Sequence, residues 1–473
     1  MKIKVGIFMG GPSRQREQSF ASGRTYFLHL DRTLFEPVPL FVDSRRQFLL
    51  LDWKLLFQPS LQAFFPPQDL LPPTHLGFPI YEESLGDLPD EEYDRVVEKT
   101  GRRIAPEELT QLVNLAVIAL HGTYGADGQL QAELDALRIP YTGSSPRICK
   151  YHADPLLQRG IMKEKGIPFP AFQTLAGEDW SGRSPGQVFQ QTINYLGLPF
   201  QVFPASDPGK ASLIDEETGL EGFQEAVESA FFIERIPIAR WQSMGSFDRA
   251  DHIRYLTDLR AGLGFPVEAS IAKETALIRH PEELLHFLNR LANDSAYEGE
   301  TCSLKSRLPS ERVMFESRLM GEPFHLALVQ NEDQAATAFL PVRPSESLQE
   351  TGLPLADFDP ETSESIRSAG AAFFAACGMP SFGLASGIVD IHGNIFFHRL
   401  EILPAFTPDS PFFQSGTRIG LSPTDWITIL IRTSLRERLT ERPSEMSYRG
   451  LQSFLNELWA QKTAGPNIAV LYS

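Results

Sequence analysis

The sequence predicts a mixed α/β protein of more than one domain. A strand, a glycine turn, a helix and a second strand open the chain, at Lys4–Met9, Gly10-Gly11, Glu17–Leu30 and Phe35–Val42. This βαβ order is typical of a parallel sheet covered by helices. Near the other end, Phe382–Val389 and Ile395–Leu400 are apolar runs on either side of His392-Gly393-Asn394, which predicts a β-hairpin.

Length and composition limit the possible classes of protein. The chain has 473 residues, of which 42% are hydrophobic and 22% charged, as in globular proteins with two or three cores. The net charge of −17 argues against nucleic acid or an anionic membrane as a partner. The opening MKIKVGIFMGG has too short an apolar run for a signal peptide, and no run reaches the length of a membrane span. Three widely separated cysteines favour free thiols in the cytoplasm.

Further strands and helices follow in order along the chain. Leu115–Leu120 is an apolar strand that runs into the loop His121–Gly128, a helix at Gln129–Leu137 and a short strand at Ile139–Gly143. We also expect a strand at Thr337–Val342. The resulting domain prediction comprises an N-terminal α/β domain at 1–145, a central subdomain at 146–312, a C-terminal domain at 313–442 and a helical tail at 443–473 that contains a helix near Tyr448–Gln461.

The middle of the chain contains a candidate internal repeat. Leu196–Phe200 reads LGLPF and Leu263–Val267 reads LGFPV, and each begins a strand-like segment that leads to an acidic helix, at Gly222–Phe232 and Pro281–Ala292. Three identical positions indicate a duplication. The alternative is coincidence, because Gly-x-Pro is a common way for a strand to begin. Either way the central subdomain carries a duplication or an insertion.

Several motifs occur in an order that resembles the D-alanine–D-alanine ligase family, which has the ATP-grasp fold. They are Gly10-Gly11-Pro12-Ser13, His121-Gly122-x-x-Gly125-x-Asp127-Gly128, Ile139-Pro140-Tyr141-Thr142-Gly143-Ser144, Gly166-Ile167-Pro168-x-Pro170, Pro204-Ala205 and Leu403-Pro404-x-Phe406-Thr407. The resemblance implies an N-terminal pre-ATP-grasp domain, a central lid-like subdomain and a C-terminal ATP-grasp domain. It also implies a homodimer that joins two D-alanines for peptidoglycan, using ATP and Mg²⁺.

The family's site residues transfer only in part to the N-terminal domain. The resemblance assigns substrate contacts to Ser13, His121 and Gly122, although a loop histidine such as His121 is more often a structural hydrogen-bonding group. The family glutamate that holds the substrate ammonium is Gln15 here. A neutral amide accepts a hydrogen bond without neutralising the ammonium. Glu17, two residues later, is the alternative partner.

The ATP positions are also altered. The two lysines that contact ATP in the family correspond to Pro155 and Phe203, and the phosphate-covering loop corresponds to Asp207–Ser212. Lys210 in that loop is a candidate phosphate contact, although a single loop lysine is more often solvated. Charge on a transferred phosphoryl group requires nearby cations, so these changes predict weak or absent ATP binding.

The magnesium and catalytic positions lie on the C-terminal hairpin. Leu384 stands where the family has its catalytic arginine, and Ser386 and Arg399 stand at magnesium-ligand positions. Glu401 remains as a candidate ligand, and it could instead pair with Arg399 two residues away. In a shifted register, Asp390 and Glu401 would supply two carboxylates.

These substitutions leave three hypotheses. The first is a ligase-like protein that has lost its activity and that binds a small molecule or an active ligase paralogue. The second is an active ATP-dependent carboxylate–amine ligase with relocated residues. The third is a homodimeric binding protein unrelated to cell-wall supply. Removal of one transition-state charge contact costs about 10²–10³ in rate, so the number of altered positions favours the first.

Overall fold

A computed structural model describes the chain over residues 2–67, 70–71, 76–86, 88–207, 209–331, 335–344, 358–441, 450–453 and 455–457. The strands are, in chain order, β1 (Ile3–Gly10), β2 (Phe35–Val42), β3 (Phe48–Leu51), β4 (Gly101–Ile104), β5 (Leu115–Ile118), β6 (Phe172–Ala176), β7 (Phe200–Pro204), β8 (Ser212–Ile214), β9 (Ile233–Pro237), β10 (Val267–Ile271), β11 (Glu274–Ile278), β12 (Thr301–Ser306), β13 (Arg312–Ser317), β14 (Gly321–Gln330), β15 (Ala336–Ala338), β16 (Phe382–Asp390) and β17 (Ile395–Glu401).

Helices separate most of these strands. They are α1 (Arg16–His29), α2 (Asp90–Glu98), α3 (Leu109–Leu112), α4 (Gln129–Ala136), α5 (Pro146–Ala153), α6 (Pro155–Glu164), α7 (Gly177–Gly182), α8 (Pro185–Leu196), α9 (Gly219–Ala230), α10 (Ile238–Ser243), α11 (Ser246–Thr257), α12 (Pro281–Ala292), α13 (Pro360–Ala376), α14 (Pro411–Arg418) and α15 (Pro423–Glu441). The mixed α/β class predicted from the sequence is confirmed. Among the helices of the described residues, we find none with the length and apolarity that a bilayer crossing requires.

The chain forms two compact units. The first unit comprises Met1–Gln58, Gly101–Phe169 and Leu319–Ser473, and the second comprises Pro59–Thr100 and Pro170–Arg318. The second unit takes in the Pro-rich excursion before residue 100, because Phe78 packs into the same apolar core as Trp241. The sequence-based boundaries at 145 and 312 remain a prediction.

The first unit contains two sheets. One has the strand order β4-β3-β2-β1-β5, with β1 parallel to both of its neighbours. All of β1 except Lys4 is buried, as expected of a central strand in a parallel sheet. The other sheet has the order β15-β14-β16-β17 and is antiparallel. It contains the predicted hairpin, β16–β17, whose core side packs on α13 through Ile366 and Phe373.

One predicted segment of the first unit differs from expectation, and another lies mostly outside the described residues. The strand expected at Thr337–Val342 is only Ala336–Ala338, because Pro341 has no backbone N–H and cannot continue a ladder. Val342 still pairs with His325 as an isolated bridge. The predicted tail at 443–473 lies mostly outside the described residues. Within the tail, residues 450–453 and 455–457 are described, and both stretches are helical.

The second unit contains a nested duplication. The first copy consists of β6, α7, α8, β7, β8, α9 and, after an interruption, β13, and its sheet has the order β6-β13-β7-β8. The second copy consists of β9, α10, α11, β10, β11, α12 and β12, and its sheet has the equivalent order β9-β12-β10-β11. Each copy places a buried tryptophan, Trp180 or Trp241, on its first helix. The second copy lies between α9 and β13 in the chain.

The two copies differ at one connection. In the first copy, β7 and β8 are separated by a loop that contains Asp207 and Lys210. In the second copy, Ile271 pairs directly with Glu274, so only Ala272 and Lys273 form the turn. A two-residue turn has too few backbone N–H groups to enclose a phosphate chain, and we therefore assign the second copy no nucleotide loop.

Candidate functional site

Two loops of the N-terminal sheet bring together the residues predicted to bind substrate. β1 and β5 are parallel neighbours, so the loops after them meet at one edge. Ser13 Oγ donates to the His121 carbonyl oxygen at 2.6 Å and accepts from the Gln15 backbone N–H at 3.1 Å. Gly122 has φ of +72°, and a Cβ at this position would lie 2.8 Å from Ser13 Cβ. Glycine is therefore required for the two loops to touch.

The imidazole of His121 connects this edge to the C-terminal stretch. Its Nδ1 lies 3.1 Å from the Leu403 carbonyl oxygen, so Nδ1 carries the proton. Its Nε2 accepts from Ser22 Oγ at 3.0 Å, and that hydroxyl oxygen accepts the Phe406 backbone N–H at 3.1 Å. Phe406 in turn stacks on Tyr26, with ring centroids 4.7 Å apart. Both ring nitrogens of His121 thus hold the Leu-Pro-x-Phe segment against α1.

Arg16, close to Ser13, is also committed to internal contacts. The preceding residue, Gln15, is the N-cap residue of α1, and its side chain makes no capping hydrogen bond. Arg16 is only 3% exposed, and its guanidinium donates from Nε to the Ser13 carbonyl at 3.1 Å and from Nη2 to the Pro12 carbonyl at 3.0 Å. A buried cation satisfied by carbonyls stabilises the glycine loop from within.

The two positions aligned with lysines in the sequence have structural roles. Pro155 occupies the first turn of α6, and the Asp154 side chain caps that helix by accepting the Leu156 N–H at 2.8 Å. In the second unit, Phe203 lies on β7 beside Met314 of β13 and is 6% exposed. Neither position offers a cation.

Lys210 and its loop are held by contacts within the second unit. The Lys210 ammonium lies 4.4 Å from the ring centroid of Phe232. Asp207, which is 5% exposed, accepts from Arg260 Nε at 3.1 Å and from the Gly209 N–H at 3.1 Å. Arg260 follows α11 and belongs to the second copy, so the second copy fixes the loop of the first.

The C-terminal hairpin sets the candidate magnesium positions side by side. In the register of β16 and β17, Leu384 faces Glu401 and Ser386 faces Arg399. Leu384 is 3% exposed. Arg399 Nη2 donates to Glu401 Oε1 at 2.5 Å, the pairing anticipated from the sequence. On the other side of β16, His325 of β14 faces Ser386.

The shifted register that would unite Asp390 and Glu401 is wrong. Asp390 lies at the turn end of the hairpin, where its carboxylate accepts from the N–H groups of His392 at 2.9 Å and Asn394 at 2.8 Å. Glu401 lies at the opposite end of β17. Asp390 is thus used to close the turn.

Known proteins resemble this chain in part of its sequence and in its fold. Residues 4–144 match the family described as D-ala D-ala ligase N-terminus. Over 93% of this chain and 96% of the other, the fold is similar to that of the D-alanine-D-alanine ligase from Coxiella burnetii, with a TM-score of 0.57 and 16% identity. Residues 4–144 are therefore similar to the N-terminal part of D-alanine–D-alanine ligases, and the chain shares the fold of the C. burnetii ligase.

Relatives of this ligase family match only parts of the chain. D-alanine--D-alanine ligase A of Escherichia coli (strain K12) is 25% identical over 230 residues, which are 49% of this chain and 58% of that protein. The D-alanine--D-alanine ligase of Enterococcus faecalis (strain ATCC 700802 / V583) is 31% identical over 134 residues, which are 28% of this chain and 38% of that protein. The chain therefore spans less than two thirds of the length of these relatives. The ligase from Bacillus anthracis, solved in complex with ATP, has a TM-score of 0.50 at 16% identity over 93% of this chain and 99% of that one.

ATP-grasp ligases use Mg²⁺, and the residues present here do not fit that ion. Among the described residues, no group of three or more histidine, cysteine, aspartate or glutamate side chains is placed to hold a metal. Of the two hairpin carboxylates, Asp390 closes the turn, and Glu401 is already bound by Arg399. Mg²⁺ requires several hard oxygen ligands in octahedral geometry.

His325 is a residue that the sequence analysis missed. It lies within a run of apolar residues on β14. Its position in that strand was the one feature of the sequence that could have indicated a buried histidine. Burial lowers the pKa of its imidazole to about 4, with Glu401 opposing and Arg399 adding to the shift. The neutral ring is therefore the form present near neutral pH.

We expect acid to destabilise the protein through His325. An unfolded histidine has a pKa of about 6.5. Between that pH and about 4 the unfolded chain binds a proton that the folded chain does not. The contribution is complete above pH about 6.5 and is lost as the pH falls, by at most about 1.4 kcal/mol per pH unit. Urea unfolding at a series of pH values checks this.

Two variants isolate the contribution of His325. His325→Gln should flatten the pH dependence over this window, whereas His392→Gln in the exposed hairpin turn should leave it unchanged. An equally steep dependence in His325→Gln would contradict the assignment. His152, whose pKa is also lowered by burial, contributes in the same direction and is intact in both variants.

The Arg260–Asp207 pair predicts a protease-sensitive loop when it is broken. Arg260→Gln leaves the buried Asp207 carboxylate with one charged partner fewer, and we expect local opening to rise about fivefold. Trypsin should then cleave after Lys210 about five times faster. Mass spectrometry measures the rate of cleavage at that one peptide bond. Arg254→Gln, which breaks an exposed pair with Asp251, is the control and should not change this rate.

Proposed function

We propose that this protein retains the ligase fold without ligase chemistry. The observation that carries the proposal is the Arg399–Glu401 pair at the position where the family holds magnesium. A fixed cation repels a dication, and the carboxylate that could attract the ion is already neutralised. Gln15, Pro155, Phe203 and Leu384 support the same conclusion, because each replaces a charged family residue with a neutral one.

The test is release of ADP and phosphate from Mg-ATP in the presence of D-alanine. We expect no D-alanine-dependent release above background, with the E. coli ligase A as the positive control. Loss of several charge contacts, each worth about 10²–10³ in rate, predicts this outcome. D-alanine-dependent release would instead establish the alternative, an active carboxylate–amine ligase with relocated residues that supplies peptidoglycan precursors.

Such a protein acts by binding. We propose a small-molecule ligand or an active ligase paralogue as its partner, and a homodimer as its assembly. The mass in solution, compared with the 52.9 kDa of one chain, tests the dimer. Co-purification with an active ligase expressed in the same cell tests the second partner. We place the protein in the cytoplasm, since Cys149, Cys302 and Cys377 are free and buried.

A further inference from the structure

The N-terminal sheet has an open edge at the start of β2. β3 pairs with β2 only over Leu40–Val42, so no strand of the described residues covers 35–39 on that side. The Val42 carbonyl oxygen accepts a backbone N–H from the residue that follows β1. Backbone groups alternate in direction along a strand, so even-numbered residues of β2 point toward β1. The odd-numbered residues therefore point toward the open edge.

Two prolines remove the hydrogen-bond donors from this edge. Pro37 and Pro39 have no backbone N–H, and the N–H of Phe35 already donates to the Asp31 carbonyl oxygen at 2.8 Å. Residues 35–39 thus offer no N–H group to an added strand. Proline on an edge strand prevents the sheet from being extended by another chain. Any molecule bound at this edge is therefore held mainly by side chains.

A groove of ≈ 690 Å³ lies beside the open edge. Its volume is within the range of small-molecule sites. The groove is lined by β2, by Leu28 of α1 and by a 3₁₀ helix at Trp53–Phe57. The Arg24 guanidinium on α1 donates to the carbonyl oxygen of Gln58, the residue after the 3₁₀ helix, at 3.1 Å. This bond fixes the two sides of the groove to each other.

The apolar side chains of the groove are exposed. Leu28 is 46% exposed, Trp53 52% and Phe57 61%. The rings of Trp53 and Phe57 meet edge to face, with centroids 6.0 Å apart. Large apolar side chains gathered in one concave place, rather than scattered singly, indicate a binding surface. A further aromatic ring would add to this pair in the geometry that aromatic groups prefer.

Two cations lie at the end of the groove where β1 and β2 begin. Lys4 of β1 and Arg32, which precedes β2, both line it. Arg32 donates from Nη2 to the Phe27 carbonyl oxygen at 2.8 Å, and the guanidinium has further N–H groups. Neither cation pairs with a carboxylate of the described residues. Glu36 is the one carboxylate among the described lining residues, so the lining has an excess of positive charge.

We propose that this groove binds a small molecule with an aromatic body and one anionic group. The body lies against Trp53 and Phe57, and the anion faces Lys4 and Arg32, where charge-assisted hydrogen bonds hold it. The groove lies at the start of β1, whereas Ser13 and His121 meet beyond the other end of that strand. The inference goes beyond the proposed function and does not depend on the loss of ligase chemistry.

The experiment is calorimetry of the full chain with three probes that share one aromatic body. They are 2-naphthoate, the neutral 2-naphthamide and the cationic 2-naphthylmethylammonium. We expect 2-naphthoate to bind once per chain, about tenfold more tightly than the amide, because only the carboxylate forms charge-assisted bonds. The cationic probe should bind more weakly than the amide.

Two variants separate the roles of ring and charge. Trp53→Ala should weaken binding of 2-naphthoate and of the amide alike, each by about tenfold, because both lose the aromatic contact. Arg32→Gln should weaken 2-naphthoate alone, to about the affinity of the amide. Urea unfolding of each variant shows whether the chain is still folded. Lys4→Gln gives a second test of the charge, since Lys4 is exposed.

Two matched controls change side chains that do not line the groove. Lys54→Gln removes a cation from the same 3₁₀ helix, and Phe247→Ala removes an aromatic side chain of α11 that is 75% exposed. Both controls should bind 2-naphthoate as the original chain does. A loss in either control equal to the loss in the groove variants would overturn the inference.

Other outcomes also overturn it. They are no binding of 2-naphthoate, equal binding of 2-naphthoate and the amide, and tighter binding of the cationic probe. A dimer that Trp53→Ala converts to a 52.9 kDa monomer would show that a second copy of the chain occupies the groove. None of these results changes the release of ADP, so the proposed function stands or fails separately.

Discussion

Trp241→Ala is expected to lower the free energy of unfolding by about 4 kcal/mol. The indole is 0% exposed and fills the core of the second copy. Its Nε1 donates to Asn289 Oδ1 at 3.1 Å, and the Arg249 guanidinium lies 5.6 Å from its ring. Alanine would leave a large cavity, and Asn289 would lose a donor. Urea unfolding followed by circular dichroism measures the change.

Two other tryptophans give the comparison for Trp241→Ala. Trp180, the counterpart in the first copy, is 8% exposed and contacts Phe223 edge to face, so Trp180→Ala should cost about 3 kcal/mol. Trp53 is 52% exposed, and Trp53→Ala should change the free energy by less than about 0.5 kcal/mol. Equal effects at Trp53 and Trp241 would show that the second copy does not have the core described above.

Arg438→Ala is the second large prediction, and it concerns the first unit. Arg438 is 1% exposed, donates from Nη2 to the Gly143 carbonyl oxygen at 2.6 Å and lies 4.1 Å from the ring of Tyr141. Ser434, one turn earlier on α15, accepts the Gly143 N–H at 3.0 Å. Removing the guanidinium leaves a buried carbonyl without this charged donor and opens space over the ring. We expect a loss of about 3 kcal/mol in unfolding free energy.

The control variants for Arg438 separate charge from geometry. Arg438→Lys keeps the charge but not the planar fork, and it should recover only part of the loss. Arg102→Ala removes a side chain that is 55% exposed and paired with Glu108, so it should cost less than about 0.5 kcal/mol. Equal destabilisation by Arg102→Ala and Arg438→Ala, in the same urea titration, would refute the structural role of Arg438.

Much of the fold could be predicted from local patterns. The strand β1 and the hairpin β16–β17 are continuous apolar runs beside glycine turns, so period and turn chemistry located them. The nested order of the second unit could not be predicted in the same way. β13 completes the first sheet only after the whole second copy, and the copies share little beyond the Gly-x-Pro strand starts.

The candidate site, too, could be predicted from the sequence only in part. The glycine and proline positions carry the resemblance to the ligases, and from their spacing the sequence predicts that Gln15, Phe203 and Arg399 replace residues of the ligase site. What those side chains contact instead depends on distant residues. Arg260 reaches Asp207 from 53 residues away, and His121 reaches Leu403 from 282 residues away. Contacts between residues so far apart in the sequence depend on the packed fold and cannot be predicted from spacing along the chain.

The nested arrangement also affects the order of folding. All strands and helices of the second copy lie between Ile233 and Ser306, so they can form before β13 is synthesised. Its two ends are adjacent, since the Ser306 backbone N–H donates to the Phe232 carbonyl oxygen at 3.0 Å. Once folded, the insertion joins α9 to β13 as a short connection would, and most of the entropy of closing a long loop has already been lost. Folding of the second copy thus lowers the entropic cost of adding β13 to the sheet of the first copy.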